Sequence, residues 1–422
     1  MMKYIQTALF ISISLILASC ANETKSDTTY GKATTELIEM VEGNPEIKRL
    51  LIASIEKVKE INPDKVTNPA QSLEEYYEFV SWAETSMPWQ LINPEGGENL
   101  TSDILQGVGY FYYLVDQPLP ELEGNGNYRN TLQYVEPFSS WLVDFSKNWG
   151  AYLSTEDSWN ETYYQTALAA ESFGVSKGWY EDPSNWKTFN QFFSRYLKDP
   201  DQRPIASKDD SSIVVSAADA VPQGIWSIDS SSYIAGKEGV KIKLSVYNSI
   251  EKLIGEDSEY NKEFANGKFI HSFLSVNDYH RYHFPLSGTI KEVKVIPGKV
   301  AIGAVITWDP VLKEYTPDVS HIGWQSVETR GCVIVDTEEF GLVAMMPIGM
   351  ATVSSVNFEE NIKVGVEVSK GDPMGYFLFG GSDFIMIFQE KAGFTLDAPQ
   401  GETEGTYAHR LMGEPIGRFQ KD

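Results

Sequence analysis

The chain has 422 residues, which is long enough for two domains and a sizeable core. Its 59 acidic and 34 basic side chains give a formal net charge of -25, which excludes the basic surface that nucleic-acid binding requires and disfavours contact with an anionic membrane surface. With two cysteines, Cys20 and Cys332, a disulfide framework is excluded as well. The acidity itself indicates a solvated exterior and no particular function.

The N-terminus is typical of a bacterial lipoprotein signal peptide. Lys3 supplies a charged start, residues 8–17 form a short apolar run, and small residues precede Cys20. We expect residues 1–19 to be removed, Cys20 to be lipidated and residues 20–32 to form a flexible tether. A plain secretory signal or an anchor helix is disfavoured, because the cysteine lies where lipobox processing needs it and the apolar run is short for a membrane span. The sequence therefore predicts a lipid-anchored protein of the cell envelope, in the periplasm or at the outer membrane.

Residues 33–175 have the pattern of a helical domain that is rich in aromatic residues. One stripe at three- and four-residue spacing predicts the buried face of a helix and consists of Phe138, Trp141, Leu142, Phe145, Trp149 and Tyr152. Residues 46–60 carry a similar stripe. Residues 155–158 are expected to end one helix and cap the next, which runs from about residue 159 to residue 173. Such stripes favour a packed core over a ligand cage.

After Gly174 the composition changes to β-like runs separated by glycine, proline and aspartate. The predicted strands are residues 240–244, 290–296, 300–307, 333–335 and 364–368. Cys332 lies in one of these runs and is expected to be a buried, inert thiol. The pattern predicts an α+β protein with a β-rich catalytic domain at residues 179–394 and a loosely packed C-terminal tail at residues 395–422.

The segment Phe379-Gly380-Gly381-Ser382 precedes an apolar run at residues 384–388. Two glycines allow the backbone to bend until the Ser382 hydroxyl faces the Gly381 carbonyl. Attack on that carbonyl would give an ester, elimination would leave dehydroalanine, and hydrolysis would leave a pyruvoyl group. For an isolated Gly-Gly-Ser the alternative interpretation, a β-bulge or tight turn between strands, is the stronger one.

Other residues supply the chemistry that such a serine needs. His280 and His283 lie together upstream, and histidine titrates in the range required of a base that takes a hydroxyl proton. Asp219 follows a β-rich run and could orient that base, although a short carboxylate there is also typical of a turn or cap. The histidine pair could instead bind zinc, but no H-E-x-x-H or C-x-x-C set accompanies it, and we predict no metal.

The segments around Asp219, His280 to His283 and Ser382, in this order, resemble the phosphatidylserine decarboxylase family of pyruvoyl-dependent enzymes. The resemblance covers residues 179–394. It extends to residues 189–195, 203–205, 328–331, 341–343, 348–353 and 370–372. Residues 82–85, 87–89 and 149–158 resemble the accessory domain of soluble relatives such as the tryptophan decarboxylase of the psilocybin pathway. Each stretch is weakly specific, whereas their combination and order are strongly so.

The resemblance implies a self-processing triad of Asp219, His283 and Ser382, with cleavage between Gly381 and Ser382 and a pyruvoyl cofactor made from Ser382. His283 would be the base of maturation, and His280 would assist protonation or carboxylate handling during turnover. The implied enzyme is a carboxy-lyase that releases carbon dioxide from an α-amino carboxylate through a Schiff base. Its substrate would be phosphatidylserine or a free amino acid such as tryptophan, and a homodimer is expected by analogy.

Two residues depart from the family pattern. Ala220 follows Asp219 where glycine is frequent, and Asp383 follows Ser382 where threonine or serine is usual. A carboxylate beside the new pyruvoyl group would either repel an anionic substrate or favour a cationic amine. These departures also motivate an alternative of another class, a binding lipoprotein on a decarboxylase scaffold that does not process itself. His271, His321 and His409 are expected to be ordinary core or surface histidines.

Overall fold

The computed structural model of the protein describes residues 30–235, 245–350 and 356–420. The predicted signal peptide, Cys20, nearly all of the tether and the predicted strand at residues 240–244 lie outside the described residues. So do residues 351–353 of one stretch that resembles the decarboxylase family.

The helices lie mainly in the first half of the chain. Where a helix begins, a polar side chain often caps it: the Asn44 side chain accepts from the backbone N–H groups of Glu46 and Ile47, and Pro45 occupies the first turn. The helices are α1 (Lys32–Gly43), α2 (Pro45–Ile61), α3 (Leu73–Ala83), α4 (Leu100–Tyr113), α5 (Phe138–Tyr152), α6 (Glu161–Ala169), α7 (Phe189–Phe193) and α8 (Ile250–Ile254). Within the described ranges, none of them is both long and apolar enough to span a bilayer.

The predicted aromatic stripe is confirmed as the buried face of α5, on which Phe138, Phe145 and Trp149 are almost fully enclosed. The helix predicted at residues 159–173 is shorter than expected. It begins at Glu161, because the Asn160 side chain accepts from the N–H of Tyr163, and it ends at Ala169 before a separate 3-10 turn.

Strands fill the second half of the chain, which confirms the α+β class. They are β1 (Ile213–Val215), β2 (Val221–Ser227), β3 (Lys268–Leu274), β4 (Arg281–His283), β5 (Gly288–Ile296), β6 (Val305–Asp309), β7 (Glu314–Asp318), β8 (Thr329–Asp336), β9 (Leu342–Met350), β10 (Val356–Phe358), β11 (Glu367–Val368), β12 (Pro373–Phe377), β13 (Gly381–Phe388), β14 (Thr395–Leu396) and β15 (Pro415–Arg418). The predictions at residues 300–307 and 364–368 were too wide, since only β6 and β11 form there.

The main sheet has seven strands in the order β11-β5-β8-β9-β13-β3-β2, and every neighbouring pair is antiparallel. Side chains alternate along β13: Ile385 and Ile387 pack in a core shared with the helices, whereas Phe384 and Met386 pack in a second core on the other face. The first core continues across the predicted boundary at residues 175–179. The domain limits themselves stay predictions.

Two remaining sequence predictions have clear outcomes. Cys332 is buried in β8, where burial raises the pKa of its thiol to about 12, as expected for an inert cysteine. The prediction of a loosely packed C-terminal tail was wrong. β15 pairs with both β1 and β14, and the side chains of Ile416 and Phe419 are buried in the second core.

Candidate active site

Ser382 lies in the middle of the main sheet, near the start of β13. It is opposite Leu274 of β3 and Gly349 of β9, and it has no exposed surface. Its hydroxyl oxygen is buried and has no hydrogen-bond partner among the residues that the structure describes. A buried hydroxyl normally has such a partner, so its absence marks Ser382 as a site that packing alone does not explain.

The two glycines before Ser382 have separate structural reasons. Gly380 has a φ of 154°, at the margin of the conformations that favour glycine. A Cβ atom on Gly381 would lie 3.0 Å from the Cβ of Met350 on the neighbouring strand, which is tighter than most side-chain contacts. The glycines therefore let the backbone turn into the sheet and approach β9 closely, immediately before the serine.

Helical residues cover the segment that leads to Ser382. The Phe379 N–H donates to the Asn190 side-chain oxygen at 2.9 Å. The Phe379 ring packs against Trp149 of α5 and against Phe189 and Phe193 of α7, with centroid distances of 5.9, 5.3 and 5.2 Å. The predicted cleavage site is thus enclosed by the helical part of the chain.

His280 is a neutral, fully buried histidine. Its Nδ1 lies 2.9 Å from the Asp278 carbonyl oxygen and donates to it, which leaves the lone pair on Nε2. Nε2 is buried and meets no hydrogen-bond partner within the described ranges, and the ring stacks on Phe193 at 3.8 Å. Burial, with a smaller contribution from the charge of Arg195, holds the pKa of His280 well below its usual value.

His283 is neutral as well, and its hydrogen bonds leave Nε2 as a proton acceptor. Its Nδ1 donates to the Gly371 carbonyl at 2.9 Å, and its Nε2 accepts from the Tyr279 hydroxyl at 3.2 Å. Burial lowers the pKa of His283 and raises that of Tyr279, so both groups are neutral near pH 7. The Tyr279 hydroxyl is therefore the immediate proton partner of this histidine.

Asp219 is part of a buried ion pair. Its carboxylate accepts from the Nε and Nη2 atoms of Arg203 at 2.6 to 3.2 Å and from the Met412 N–H at 2.8 Å. The loop that carries Asp219 touches β4, because the His283 N–H donates to the Ala217 carbonyl at 2.8 Å.

The structure thus brings Asp219 and His283 into one neighbourhood but does not join the predicted triad by hydrogen bonds. Among the described residues, the His283 ring bonds to Gly371 and Tyr279 instead of Asp219, and Ser382 bonds to neither. The assignment of the triad stays a prediction.

Two cavities open on this region. The first has a volume of about 430 Å³, and its lining includes Arg203, Tyr279, His283, Gly371 and Met412. The second has a volume of about 380 Å³, and its lining includes Glu181, Asn190, Ser194, Tyr376 and Leu378. Arg281 contributes to both, with its guanidinium between the rings of Tyr196 and Tyr376. Leu378 belongs to the loop before Ser382, so the second cavity adjoins the predicted cleavage site.

Asp383 lies beside Ser382 in the sequence but not on the same side of the sheet. Its side chain points to the sheet face opposite Ser382, where both carboxylate oxygens lie 3.1 Å from Nδ1 of His271. Neither side chain is exposed, and the His271 ring stacks on Trp226 at 5.1 Å. The carboxylate therefore does not line the face on which the Ser382 side chain lies. His271 is thus a core histidine with a specific partner.

Sequence reasoning missed the roles of three further residues near the site. Arg203 had been noted only as part of a resembling stretch, and Tyr279 had no assigned role. His409 was expected to be ordinary, yet its Nε2 lies 2.9 Å from the Asp278 carboxylate. The two residues of that pair are 131 positions apart, so no local pattern could reveal it. No group of three or more potential metal ligands occurs among the residues with described positions.

Comparison with known proteins gives one family. The family model described as phosphatidylserine decarboxylase matches residues 189–418, which is more than half of the 422-residue chain and includes every predicted triad residue. The match extends beyond residue 394, where the sequence resemblance had been placed. It therefore includes residues 395–418 of the predicted C-terminal tail.

Individual relatives agree. Phosphatidylserine decarboxylase proenzyme 2 of Oryza sativa subsp. japonica is 35% identical over 215 residues, which cover 50% of this chain and 31% of the rice protein. Decarboxylase iboD of Amanita muscaria is 26% identical over 284 residues, covering 61% of this chain and 79% of the fungal protein. A phosphatidylserine decarboxylase proenzyme of Saccharophagus degradans is 29% identical over 293 residues, covering 65% and 93%. This chain thus spans less than a third of the rice relative but most of the other two.

Proposed function

Since the chain belongs to the phosphatidylserine decarboxylase family and is a decarboxylase, we propose that it is made as a proenzyme that cuts itself between Gly381 and Ser382. The cut converts Ser382 into a pyruvoyl group, and the mature enzyme removes carbon dioxide from an α-amino carboxylate. The observation that carries this proposal is the buried Ser382 hydroxyl, directly after two glycines, for which the described part of the chain offers no hydrogen-bond partner.

The residues present fit the formation of that group. Ser382 Oγ bonds to the Gly381 carbonyl carbon as the peptide C–N bond breaks, which gives an ester and a free amine on residue 382. Loss of the Cα proton then breaks the Cβ–O bond and releases Gly381 as a carboxylate. Addition of water and loss of ammonia leave the pyruvoyl group. His283 is the base that accepts the Ser382 proton, either directly or through the Tyr279 hydroxyl that it already contacts.

During turnover the chain's own residues handle protons and exclude water. The pyruvoyl group supplies a carbonyl that accepts the electron pair released as carbon dioxide leaves. His280 serves as a proton donor and acceptor through Nε2, because its Nδ1–H is fixed on the Asp278 carbonyl. The rings around Phe379 keep bulk water away from this region.

One gel and one mass spectrum test the proposal. The wild-type chain should separate into a long N-terminal fragment and a short C-terminal fragment whose first residue, at position 382, resists Edman degradation. Ser382→Ala should stay in one piece, whereas the matched control Ser272→Ala, a buried serine on the adjacent strand β3, should still be cut. An uncut wild-type chain would refute the pyruvoyl mechanism and favour the alternative of a binding lipoprotein that does not process itself.

For the substrate, we propose a free amino acid ahead of a phospholipid. The support is the enclosure of the cleavage loop by α5 and α7, together with the polar cavity next to Leu378, which offers the charged groups of Glu181 and Arg281. A phospholipid headgroup would need access from a bilayer surface. An aromatic amino acid such as tryptophan and phosphatidylserine remain the two substrates to compare.

Release of labelled carbon dioxide distinguishes the two substrates. The purified enzyme is supplied in parallel with vesicles that contain phosphatidylserine and with a panel of free amino acids. We expect activity on at least one free amino acid, with vesicles at background. Activity on vesicles alone would overturn this choice and leave the self-processing proposal intact.

The N-terminal anchor and the oligomeric state stay proposals of the same kind. Lipidation of Cys20 predicts that the wild-type protein fractionates with membranes and that Cys20→Ser does not. A homodimer predicts twice the monomer mass in solution, as measured by light scattering. Soluble wild-type protein, or a monomeric mass, would contradict the respective proposal.

A further inference from the structure

Residues 409–414, which precede β15 and which we call the C-terminal strap, lie against two loops of the candidate site, the loop that carries Asp219 and the loop at residues 275–280. It exchanges backbone hydrogen bonds with the loop that carries Asp219: Arg410 with Ala220, and residues 413 and 414 with Ser216. The Met412 N–H donates to the Asp219 carboxylate itself. The strap is therefore held against this loop by hydrogen bonds along its length.

At its beginning the strap reaches the second loop, residues 275–280, through His409. The His409 Nε2 lies 2.9 Å from Oδ1 of Asp278, whose side chain is 8% exposed. The other carboxylate oxygen of Asp278 accepts from the Ser275 N–H at 2.8 Å. The carboxylate is thus held from two sides, once by its own loop and once by the strap.

Asp278 also holds His280. Its carbonyl oxygen accepts from Nδ1 of His280 at 2.9 Å and from the buried guanidinium of Arg195 at 3.2 Å. The position of the Asp278 backbone therefore determines which nitrogen of His280 carries the proton and where Nε2 points. Movement of the Asp278 carboxylate would therefore shift the Asp278 carbonyl and, through its hydrogen bond, the His280 ring.

We propose that His409 is a positioning residue, whose ionic hydrogen bond to Asp278 fixes the 275–280 loop and thereby keeps His280 in the tautomer with a free Nε2. This inference rests on the proposed function for its effect on turnover, but its structural part is independent of any cleavage. In the mature enzyme the strap would belong to the short fragment and Asp278 to the long one. The contact would therefore also join the two fragments.

The charges around the pair set its dependence on pH. The groups that face His409 are Asp278, Asp219 and Glu414, and Asp219 is already paired with Arg203. The hydrogen bond to Asp278 raises the pKa of His409, and burial raises that of Asp278. The ion pair is therefore complete between the two pKa values. It is lost as pH rises through the raised pKa of His409, and also as pH falls through that of Asp278.

Hydrogen–deuterium exchange of the peptide at residues 275–283 tests the structural part. It is measured in the uncut Ser382→Ala protein, so that maturation cannot affect the result. At pH 6 we expect His409→Ala to speed exchange of this peptide by about three- to tenfold, a moderate factor because the His409 side chain is 40% exposed. His321→Gln is the matched control, since this exposed histidine also faces a carboxylate, Asp318, away from the site. Equal exchange in the His409 variant and the control would overturn the proposal.

A conservative variant separates positioning from mere packing. His409→Lys keeps its positive charge above the pKa of His409, so its peptide should stay protected there after correction for intrinsic exchange, whereas the wild-type peptide should lose protection as pH rises through that pKa. If the wild-type enzyme matures, its rate of carbon dioxide release should fall over the same interval, and that fall should move to higher pH in His409→Lys. A pH profile identical in both proteins would contradict the role of His409. An uncut wild-type chain would contradict only the self-processing proposal.

Discussion

The buried pair of Arg203 and Asp219 allows a quantitative test of how the loop at residues 216–220 is held. The two side chains are 1% and 4% exposed, and the carboxylate accepts three charged contacts from Arg203 as well as the Met412 N–H. Asp219→Asn keeps the shape of the side chain but removes the charge, so the guanidinium stays buried without its counter-ion. Breaking a buried pair in this way costs about 3–5 kcal/mol of unfolding free energy. Because an asparagine oxygen can still accept one of the bonds, we expect about 3 kcal/mol.

The assay is urea unfolding followed by tryptophan fluorescence, in the uncut Ser382→Ala background so that every sample is a single chain. Asp397→Asn is the matched control, because its partner Arg418 is 56% exposed and such surface pairs contribute at most about 1 kcal/mol. A loss at Asp219→Asn of about 1 kcal/mol or less, similar to the control, would refute the argument that this pair holds the loop.

Two further predictions concern the histidines. His283→Ala should block cleavage, whereas His280→Ala should be cut and then release carbon dioxide at least about 100-fold more slowly, as expected for loss of a general acid or base; normal cleavage and turnover in both variants would show that the role assignment is wrong. On the opposite sheet face, Asp383→Ala should lower the unfolding free energy by about 1–3 kcal/mol, because it leaves the buried His271 ring without its partner. Asp383→Asn can still accept that hydrogen bond, so it should lower the unfolding free energy by less in the same urea-unfolding assay. Equal losses in the two variants would contradict this account.

Local pattern predicted the parts of the fold that depend on local chemistry. The stripe of α5 and the run that became β5 were recognisable because helix and strand periodicities are short-range properties. The start of α6 was not, because the cap at Asn160 places the first helical residue at Glu161, two positions later than the apolar pattern predicted.

The site shows the same division between local and long-range information. Ser382, His280 and His283 could be proposed from the sequence because they lie in distinctive segments. The neighbouring carboxylates are held by partners from distant parts of the chain. His409 binds Asp278, and Arg203 and Met412 bind Asp219. The side to which Asp383 points also needed the register of β13 between β3 and β9, which a single sequence does not provide.

The central place of β13 has a mechanical consequence. The strand is paired from Ser382 to Phe388 with β3 on one side and from Gly381 to Phe388 with β9 on the other. A backbone break just before Ser382 removes one covalent link and leaves the ladder on both sides in place. The new chain end would stay paired with a strand on each side, whereas an end created in a surface loop would fray. A reactive carbonyl at that end would thus be held in place by the sheet itself, without a further contact to position it.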